Sequence, residues 1–569
     1  MTEFALPPGV ILILTGLLLP LLPGLLRHAA LLAAPLLTLA AVWMVPDGAQ
    51  MTLSYLGMEI IPVQADKLTR VFATIFAIMG FAGALFALTQ ERIAELAAAF
   101  VYAGAAIGVT FAGDVITLFV FWEIMAIAST IVVAMGARAR GASLRYGVIH
   151  FFGGVLLMIG IAGHVVTTGS TAMGEIGLTG WPQYLILAAV LLNAGAPPLA
   201  AWLPDAYPSA SWSGTVFLSA FTTKTSVYVL IRGFPGEEIL IWIGLFMVFY
   251  GIIMALLEND MRRILAYSII NQVGFMVTAV GIGTPLALDG AAAHAFAHII
   301  YKALLLMSAG AVLKATGRSK CTEVGGLYRY MPVSCICGII GALAISALPL
   351  TSGFTSKSLI SSAAGYEHML FVWLALTAAS AGVFFHAGIK FPWFVFFNRK
   401  DYLYLHEGTP RDPHWTMQAA MILLSALCIV LGIWYTPLYE MLPNGAMIEG
   451  KVYKVWTAPH VLHQLQLLFF SGLAFFLLLD WMKRTPTITL DVDWLWRGLP
   501  PIVQSLFGPG LSLWWDRLID RVDAALSRVL AGLFRTHGPE GTLARTRPTG
   551  AMALWMTVLL GAFLLFSFF

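Results

Sequence analysis

A chain of 569 residues that is 59% hydrophobic and only 11% charged cannot clothe a water-soluble surface of its own size. The formal net charge of +3 supplies no polybasic surface, and no nucleic-acid partner is expected. Apolar stretches of about 20 residues, each long enough to cross a bilayer as a helix, recur along the chain and predict an all-α polytopic membrane protein.

In chain order, hydropathy places about 16 spans near 7–26, 28–45, 68–88, 94–113, 114–134, 146–168, 182–201, 212–231, 237–256, 263–282, 290–313, 333–350, 369–397, 416–435, 461–481 and 549–568. The first lacks a basic leader and a small-residue cleavage site, so it reads as a retained span rather than a signal peptide. If the loop with Arg138, Arg140 and Arg145 is cytoplasmic, alternation puts Arg27, Arg92, Arg262, Arg263, Lys314, Arg318, Lys320, Arg329, Arg399, Lys400, Lys483 and Arg484 beside it. Asp47, Glu59, Glu175, Glu237, Glu238, Glu440 and Glu449 then fall on the other side, and both termini are predicted on the outer face. Cys321, Cys335, Cys337 and Cys428 form no CxxC pair or metal-ligand pattern and read as packing residues.

Two spans carry breakers. LLNAGAPPLAAWLP contains Asn193, Gly195, Pro197 and Pro198; five spans later ISALPLTSGFTSK contains Pro349 and Gly353. Proline removes a backbone donor and clashes with the preceding turn, so both helices should be interrupted. Interrupted backbone at membrane depth persists only where it is buried in protein or lines a wet cavity. The matching positions suggest two inverted five-helix repeats, spans 4–8 and 9–13, with unrelated kinks as the alternative. This divides the chain into N-terminal helices (1–93), a first repeat (94–233), a second repeat (234–400), peripheral helices (401–481) and a C-terminal segment (482–569). Within the last, residues 511–534 place Trp515, Leu518, Ile519, Val522, Leu526, Val529, Leu530 and Leu533 at helical spacing. Asp516, Arg517, Asp520, Arg521, Asp523 and Arg528 cover the other face, which predicts an amphipathic helix along the cytoplasmic interface.

Ionisable residues stand inside several spans. Glu123 interrupts LFVFWEIMAIA, where a charge costs on the order of 2.5–3.5 kcal/mol, unless the acid stays neutral and hydrogen-bonded. Lys224 lies mid-span in SAFTTKTSVYVLI, roughly ten residues or about 15 Å from either interface, beyond snorkelling reach. His294, His298 and Lys302 are spaced i, i+4, i+8 on one face, with about 6 Å between rungs, as a proton relay would need. A zinc site is the rival, disfavoured by the lysine and by the lack of an HExxH glutamate; packed histidines are the plain alternative. His386 and Lys390 repeat the four-residue spacing, although Lys390 lies near enough to the cytoplasmic end to snorkel. Lys357 is placed nearer the opposite interface, and His150 and His164 read as packing residues. Nothing resembles a P-loop, a GxGxxG fingerprint, a haem ligand pair or an iron–sulfur cysteine set, so no cofactor, metal or catalytic chemistry is expected in the chain itself.

FWEIMAIAS at 121–129, AAWLPDAYPSA at 200–210, FTTKTSVYVLIRG at 221–233, RRILAYSIINQVGFM at 262–276 and HAFAHIIYKALLLMSAGAV at 294–312 occur in this order. Together they resemble the antiporter-like subunits of Mrp-type Na+/H+ antiporters, the D-type member above all, and of proton-pumping respiratory complex I. The resemblance covers roughly residues 60–400. It implies a fourteen-helix core with two inverted five-helix repeats, each with a broken helix, and a proton path through Glu123, Lys224, His294, His298 and Lys302. It also implies partner membrane subunits in a hetero-oligomeric complex, with protons and Na+ as the transported ions, in a bacterial inner membrane. The amphipathic stretch before the last span is similar to the lateral helix of the longer complex I member. One departure stands out: the family has a lysine where this chain has Asn193. Three functions follow as expectations: a proton-translocating antiporter subunit, a pumping subunit of an NADH- or ferredoxin-driven redox complex, or a non-transporting scaffold.

Overall fold

The computed structural model describes residues 6–55, 57–398, 408–448, 450–483, 485, 490–537 and 549–568. Arg399, Lys400, Glu449 and Arg484 of the loop-charge pattern lie outside the described residues. The protein is helical, with α1 (Gly9–Leu18), α2 (Gly24–Met44), α3 (Lys67–Phe86), α4 (Ile93–Phe111), α5 (Val115–Ala134), α6 (Arg140–Thr168), α7 (Trp181–Ala194), α8 (Trp202–Ser209), α9 (Gly214–Ala220) and α10 (Thr222–Gly233) in its first part. Then come α11 (Ile239–Leu257), α12 (Met261–Ile282), α13 (Pro285–Thr316), α14 (Pro332–Ile345), α15 (Ser352–Tyr366) and α16 (Leu370–Val383), the last continuing as wider π-helical turns to Phe397. α17 (Trp415–Ile433), α18 (Thr436–Met441), α19 (Ala458–Leu477) and α20 (Leu479–Met482) follow.

Among the described residues, 13 helices are long and apolar enough to cross a membrane, or up to 14 if the bent pair of α7 and the 199–209 segment counts as one. The expected spans at 7–26 and 333–350 correspond to shorter apolar helices. The second break holds Pro349 as expected, but α14 already ends at Ile345, and α15 starts a separate helix at Ser352 that the span pattern does not include. Two small hairpins accompany the helices among the described residues. β1 (Gly48–Tyr55) and β2 (Met58–Ala65) form an antiparallel hairpin, and β3 (Met447–Ile448) pairs with β4 (Lys451–Val452). The long hairpin is tied down by the Ile61 N–H, which donates to Asp114 Oδ2 at 2.9 Å while Oδ1 of the same carboxylate caps α5.

Burial sorts the helices. α10, α12 and α13 are buried along nearly their whole length, whereas α6 presents Phe152, Val155 and Met158 outward. An apolar outer face is what lipid selects, and the helices that carry polar and ionisable side chains are enclosed by the others. Loop contacts define two ends. At one, Met261 N bonds Ser319 O, and Arg262 donates to carbonyls of Tyr207, Pro208, Ala210 and Ser211. At the other, Gly113 N bonds Ile61 O, Ile176 N bonds Gly233 O, Gly236 N bonds Val280 O, and Asn444 and Ala446 bond Asp289. The first end gathers Arg92, Arg138, Arg262 and Lys314, as the loop-charge pattern anticipates. At the second end Asp66 caps α3 and accepts both hydrogen bonds from Arg232. Burial raises its carboxyl pKa, but the Arg232 charge and the Thr69 hydrogen bonds outweigh this and hold it below the ordinary value.

Residues 493–569 form a separate unit. Its long helix, α21 (Trp494–His537), starts well before the expected 511; α22 (Thr549–Phe568) ends the described chain. Leu518, Ile519, Val522, Leu526, Val529, Leu530 and Leu533 are exposed along α21.

Candidate functional site

The small residues Ala291, Ala292, Ala293, Ala295 and Ala297 let neighbouring helices close on α13 and seal its polar residues inside. His294, His298 and Lys302 are all fully buried. His294 Nδ1 lies 3.0 Å from Ser356 Oγ and its Nε2 3.2 Å from Gln272 Oε1; the Tyr301 hydroxyl donates to the same Gln272 oxygen at 3.1 Å. The His298 ring stacks 6.2 Å from His294, matching the expected rung, and neither of its nitrogens has a hydrogen-bond partner among the described residues. Such an imidazole can accept a proton on one nitrogen and release one from the other. Lys302 Nζ donates to Ser268 Oγ at 2.8 Å. Lys224 is within Coulombic reach of His294, His298 and Lys302, so α10 and α13 bring four basic groups into one cluster.

No ion pair among the described residues involves Lys224, Lys302 or Lys357. Interrupted helices supply the negative potential instead. A helix end leaves carbonyls without partners, equivalent to roughly half a negative charge. Lys224 Nζ donates to Ser219 O at 2.6 Å, next to the end of α9. Lys357 Nζ donates at 2.8 Å to Ile345 O, the last residue of α14. Lys390 Nζ donates to Ala255, Leu256 and Glu258 carbonyls at 2.7–2.9 Å, where α11 ends. Three lysines therefore each sit on the carbonyl end of a helix. For Lys390 that end belongs to the basic loops. His386 stands between, within Coulombic reach of both Lys302 and Lys390; its Nδ1 bonds Gly382 O at 2.9 Å.

Pro349 falls in the break between α14 and α15, and Pro197 and Pro198 in the break after α7, where Gly195 adopts φ +82°. Gly353, at the start of α15, packs so close to Ala344 O that a β-carbon would overlap it.

Glu123 is placed differently from the lysines. Its carboxylate rests against Gly154 of α6, with Oε1 buried and without a hydrogen-bond partner, and it does not pair with Lys224. Asn193, one turn before the first break, is buried beside His150. His150, expected to be a packing residue, has its ring 4.0 Å from Tyr146 and 4.6 Å from Trp202, and its Nε2 has no hydrogen-bond partner among the described residues. His164 does bond as a satisfied core histidine, 3.0 Å from Gln183. Lys357, expected nearer the opposite interface, is 3% exposed and adjoins the Ser356 that bonds His294. Gln272, Ser268, Tyr301 and Ser356 do not stand out in the sequence; the polar pair Asn271–Gln272 inside an expected span is the available signal.

At the basic end, a cavity of about 660 Å³ is lined by Arg92, Arg138, Arg262, Lys314, Gln90 and Ser211 among others. The last two hydrogen-bond Glu95, which is fully buried with Oε1 held by Ser211 and Ser213 at 2.6 Å and Oε2 unpartnered.

Residues 112–382, from α5 into α16, match the family model for the transmembrane part of NADH:quinone oxidoreductase and Mrp antiporter proteins. The D subunit of the Na(+)/H(+) antiporter of Alkalihalophilus pseudofirmus is 32% identical over 356 residues, 58% of this chain and 71% of that protein. The chain belongs to this family. The N subunit of the NADH-quinone oxidoreductase of Desulforudis audaxviator is 31% identical over 53% of this chain and 65% of its own. Two solved structures share the fold at 23% identity. A chain of the Mrp complex from Dietzia sp. DQ12-45-1b has a TM-score of 0.73 and covers 92% of this chain and 62% of that one. A chain of an archaeal respiratory membrane complex, the membrane-bound sulfane sulfur reductase, has a TM-score of 0.70 and covers 98% and 99%. The family's members include subunits of Na+/H+ antiporters and of NADH-quinone oxidoreductases, and this chain is a multi-pass membrane protein like them.

Proposed function

We propose that the chain is the proton-translocating membrane subunit of a multi-subunit Mrp-type Na+/H+ antiporter in a bacterial inner membrane, with both termini on the outer face. The observation that carries this is the buried cluster of Lys224, His294, His298 and Lys302, four protonatable groups within Coulombic reach of one another with no carboxylate paired to them among the described residues. Buried basic residues that serve only to hold helices together are normally paired or absent, whereas a path needs groups that gain and lose protons. Glu123, His386 and Lys390 extend the path on either side. Protons enter through one half, cross on the Lys224–His298–Lys302 axis and leave through the other, in exchange for Na+ handled by the assembled complex.

In membrane vesicles containing the complex, Glu123→Gln and Lys224→Ala are expected to abolish cation-dependent proton flux while assembly on native gels persists. Unchanged flux in both variants removes the reading. A second reading, the pumping subunit of a redox-driven complex, draws support from the near-complete mutual coverage with the archaeal reductase chain. Co-purification of iron–sulfur subunits with the native protein separates the two.

A further inference from the structure

A second cavity, of about 230 Å³, opens between α15, α16 and α19. Its lining is polar in an otherwise apolar region: Lys357, Ser361 and Ser362 from α15, Thr377 from α16, and His460 and His463 from α19. Lys357 is 3% exposed, Ser361, Ser362 and His460 are half-buried, and His463 is exposed. Its outer part carries a hydrogen-bonded chain. Ser362 Oγ lies 2.7 Å from the Tyr453 hydroxyl, which lies 3.1 Å from His460 Nδ1. Gln464, one turn beyond His460, donates to Ser346 O in the helix break, so α19 is fastened to the break itself.

The cavity lies at the end of the molecule away from Arg262 and Lys320. The last turn of α15, the first turn of α19 and the 442–457 segment with Tyr453 all belong to the end where Asn444 and Ala446 bind Asp289. At its inner limit Lys357 borders the central cluster. Ser356 bonds His294, and the Phe275 ring adjoins both groups, 4.9 Å from Lys357 Nζ and 6.2 Å from the His294 ring.

We propose that this cavity is the port through which the central cluster exchanges protons with the face opposite the basic loops, with Lys357 at its floor and His460 at its mouth. A space of this size with several polar partners accommodates water. A proton leaving the Lys357 ammonium passes along water and the serine hydroxyls to the imidazole of His460, which takes it on one nitrogen and gives up another to the outside; positive charge moves with the proton and no other reactant is consumed. The port places a functional element on α19, outside the 112–382 stretch that matches the family model.

The proposal rests on reading the cluster as a proton path, yet its geometry can be tested without transport. All four native cysteines are buried. In oriented vesicles holding the assembled complex, Ser361→Cys is expected to react with a membrane-impermeant cationic methanethiosulfonate from the face opposite the basic loops only. Ser319→Cys should react from the other face only, and the unsubstituted protein from neither. Labelling at 361 should then slow proton flux at least fivefold, and His460→Phe should do the same without reagent. An unreactive Ser361→Cys, reaction from the basic face, or labelling that leaves flux unchanged overturns the port. Lys224→Ala reports separately on the path: if it abolishes flux while the labelling tests fail, the port alone falls.

Discussion

A lysine buried without a carboxylate needs negative potential from elsewhere, and here it comes from backbone. Lys224 and Lys357 each face carbonyls at a helix end, which stabilise the ammonium without fixing it as a full counter-charge would, and Lys390 also donates to carbonyls where α11 ends. Such a partner tolerates departure of the proton, because a carbonyl end left alone is a smaller loss than an unpaired buried carboxylate. His150 stands in the first half of the molecule. It stands beside Asn193, and its neighbour Tyr146 bonds Ser129 at 3.0 Å and reaches Thr222, two residues before Lys224. The Thr222 hydroxyl in turn lies 2.5 Å from that of Tyr102. That chain offers a route from the Glu123 side to the central cluster. His150→Phe keeps the ring between Tyr146 and Trp202 but removes both nitrogens. The complex should assemble normally and lose at least tenfold in proton flux, equivalent to about 1.4 kcal/mol on the barrier; unchanged flux would return His150 to a packing role. The residues visible from sequence, Glu123, Lys224, His294, His298 and Lys302, are those that break an apolar run. Gln272 and Ser356 are not, since a neutral polar side chain in a helix looks the same whether it faces an imidazole or a backbone carbonyl.

At the scale of elements, the helix breaks are what create these cation sites. Prolines announce that a helix stops, so both breaks are legible in the sequence; where it stops is less so, because α14 ends before Pro349, at the residue whose carbonyl Lys357 takes. The restart depends on Gly353, whose lack of a side chain lets α15 begin against Ala344 O. Gly353→Ala must push α15 away, drawing Lys357 off Ile345. Forced overpacking of this kind costs roughly 1–3 kcal/mol, and thermal unfolding of the purified protein in detergent should shift down accordingly. Gly365→Ala, at the far end of the same helix with its nearest neighbour 3.7 Å away, serves as the control and should move the midpoint little. The hairpin of β1 and β2 is hidden for a different reason: a span-by-span scan assigns whatever lies between spans to loop, although MTLSYLGMEIIPV carries strand-like alternation around Gly57.

The whole molecule sets two polar cavities at opposite ends of a buried cluster, and neither runs through. The 660 Å³ cavity stops near Glu95 and Arg262, and the 230 Å³ cavity stops at Lys357. Phe275, fully buried, lies against both Lys357 and the His294 ring. A transporter that was open at both ends would short-circuit the gradient it uses, so the apolar barrier matters as much as the charged groups. Like charges in a low-dielectric interior repel, which couples proton occupancy along Lys224, Lys302 and Lys357, and a proton crossing past Phe275 should follow a change elsewhere in the cluster rather than occur freely. Removing the ring removes that condition. Phe275→Ala should therefore conduct protons passively in vesicles without the counter-cation, where the native complex holds its gradient, and Phe275→Leu should leak less. The truncation also costs stability, on the order of 3–5 kcal/mol for a buried phenylalanine, so the leak is scored per complex assembled on native gels. A tight Phe275→Ala complex with normal exchange would mean that the barrier lies elsewhere, and that Lys357 communicates with His294 through Ser356 alone.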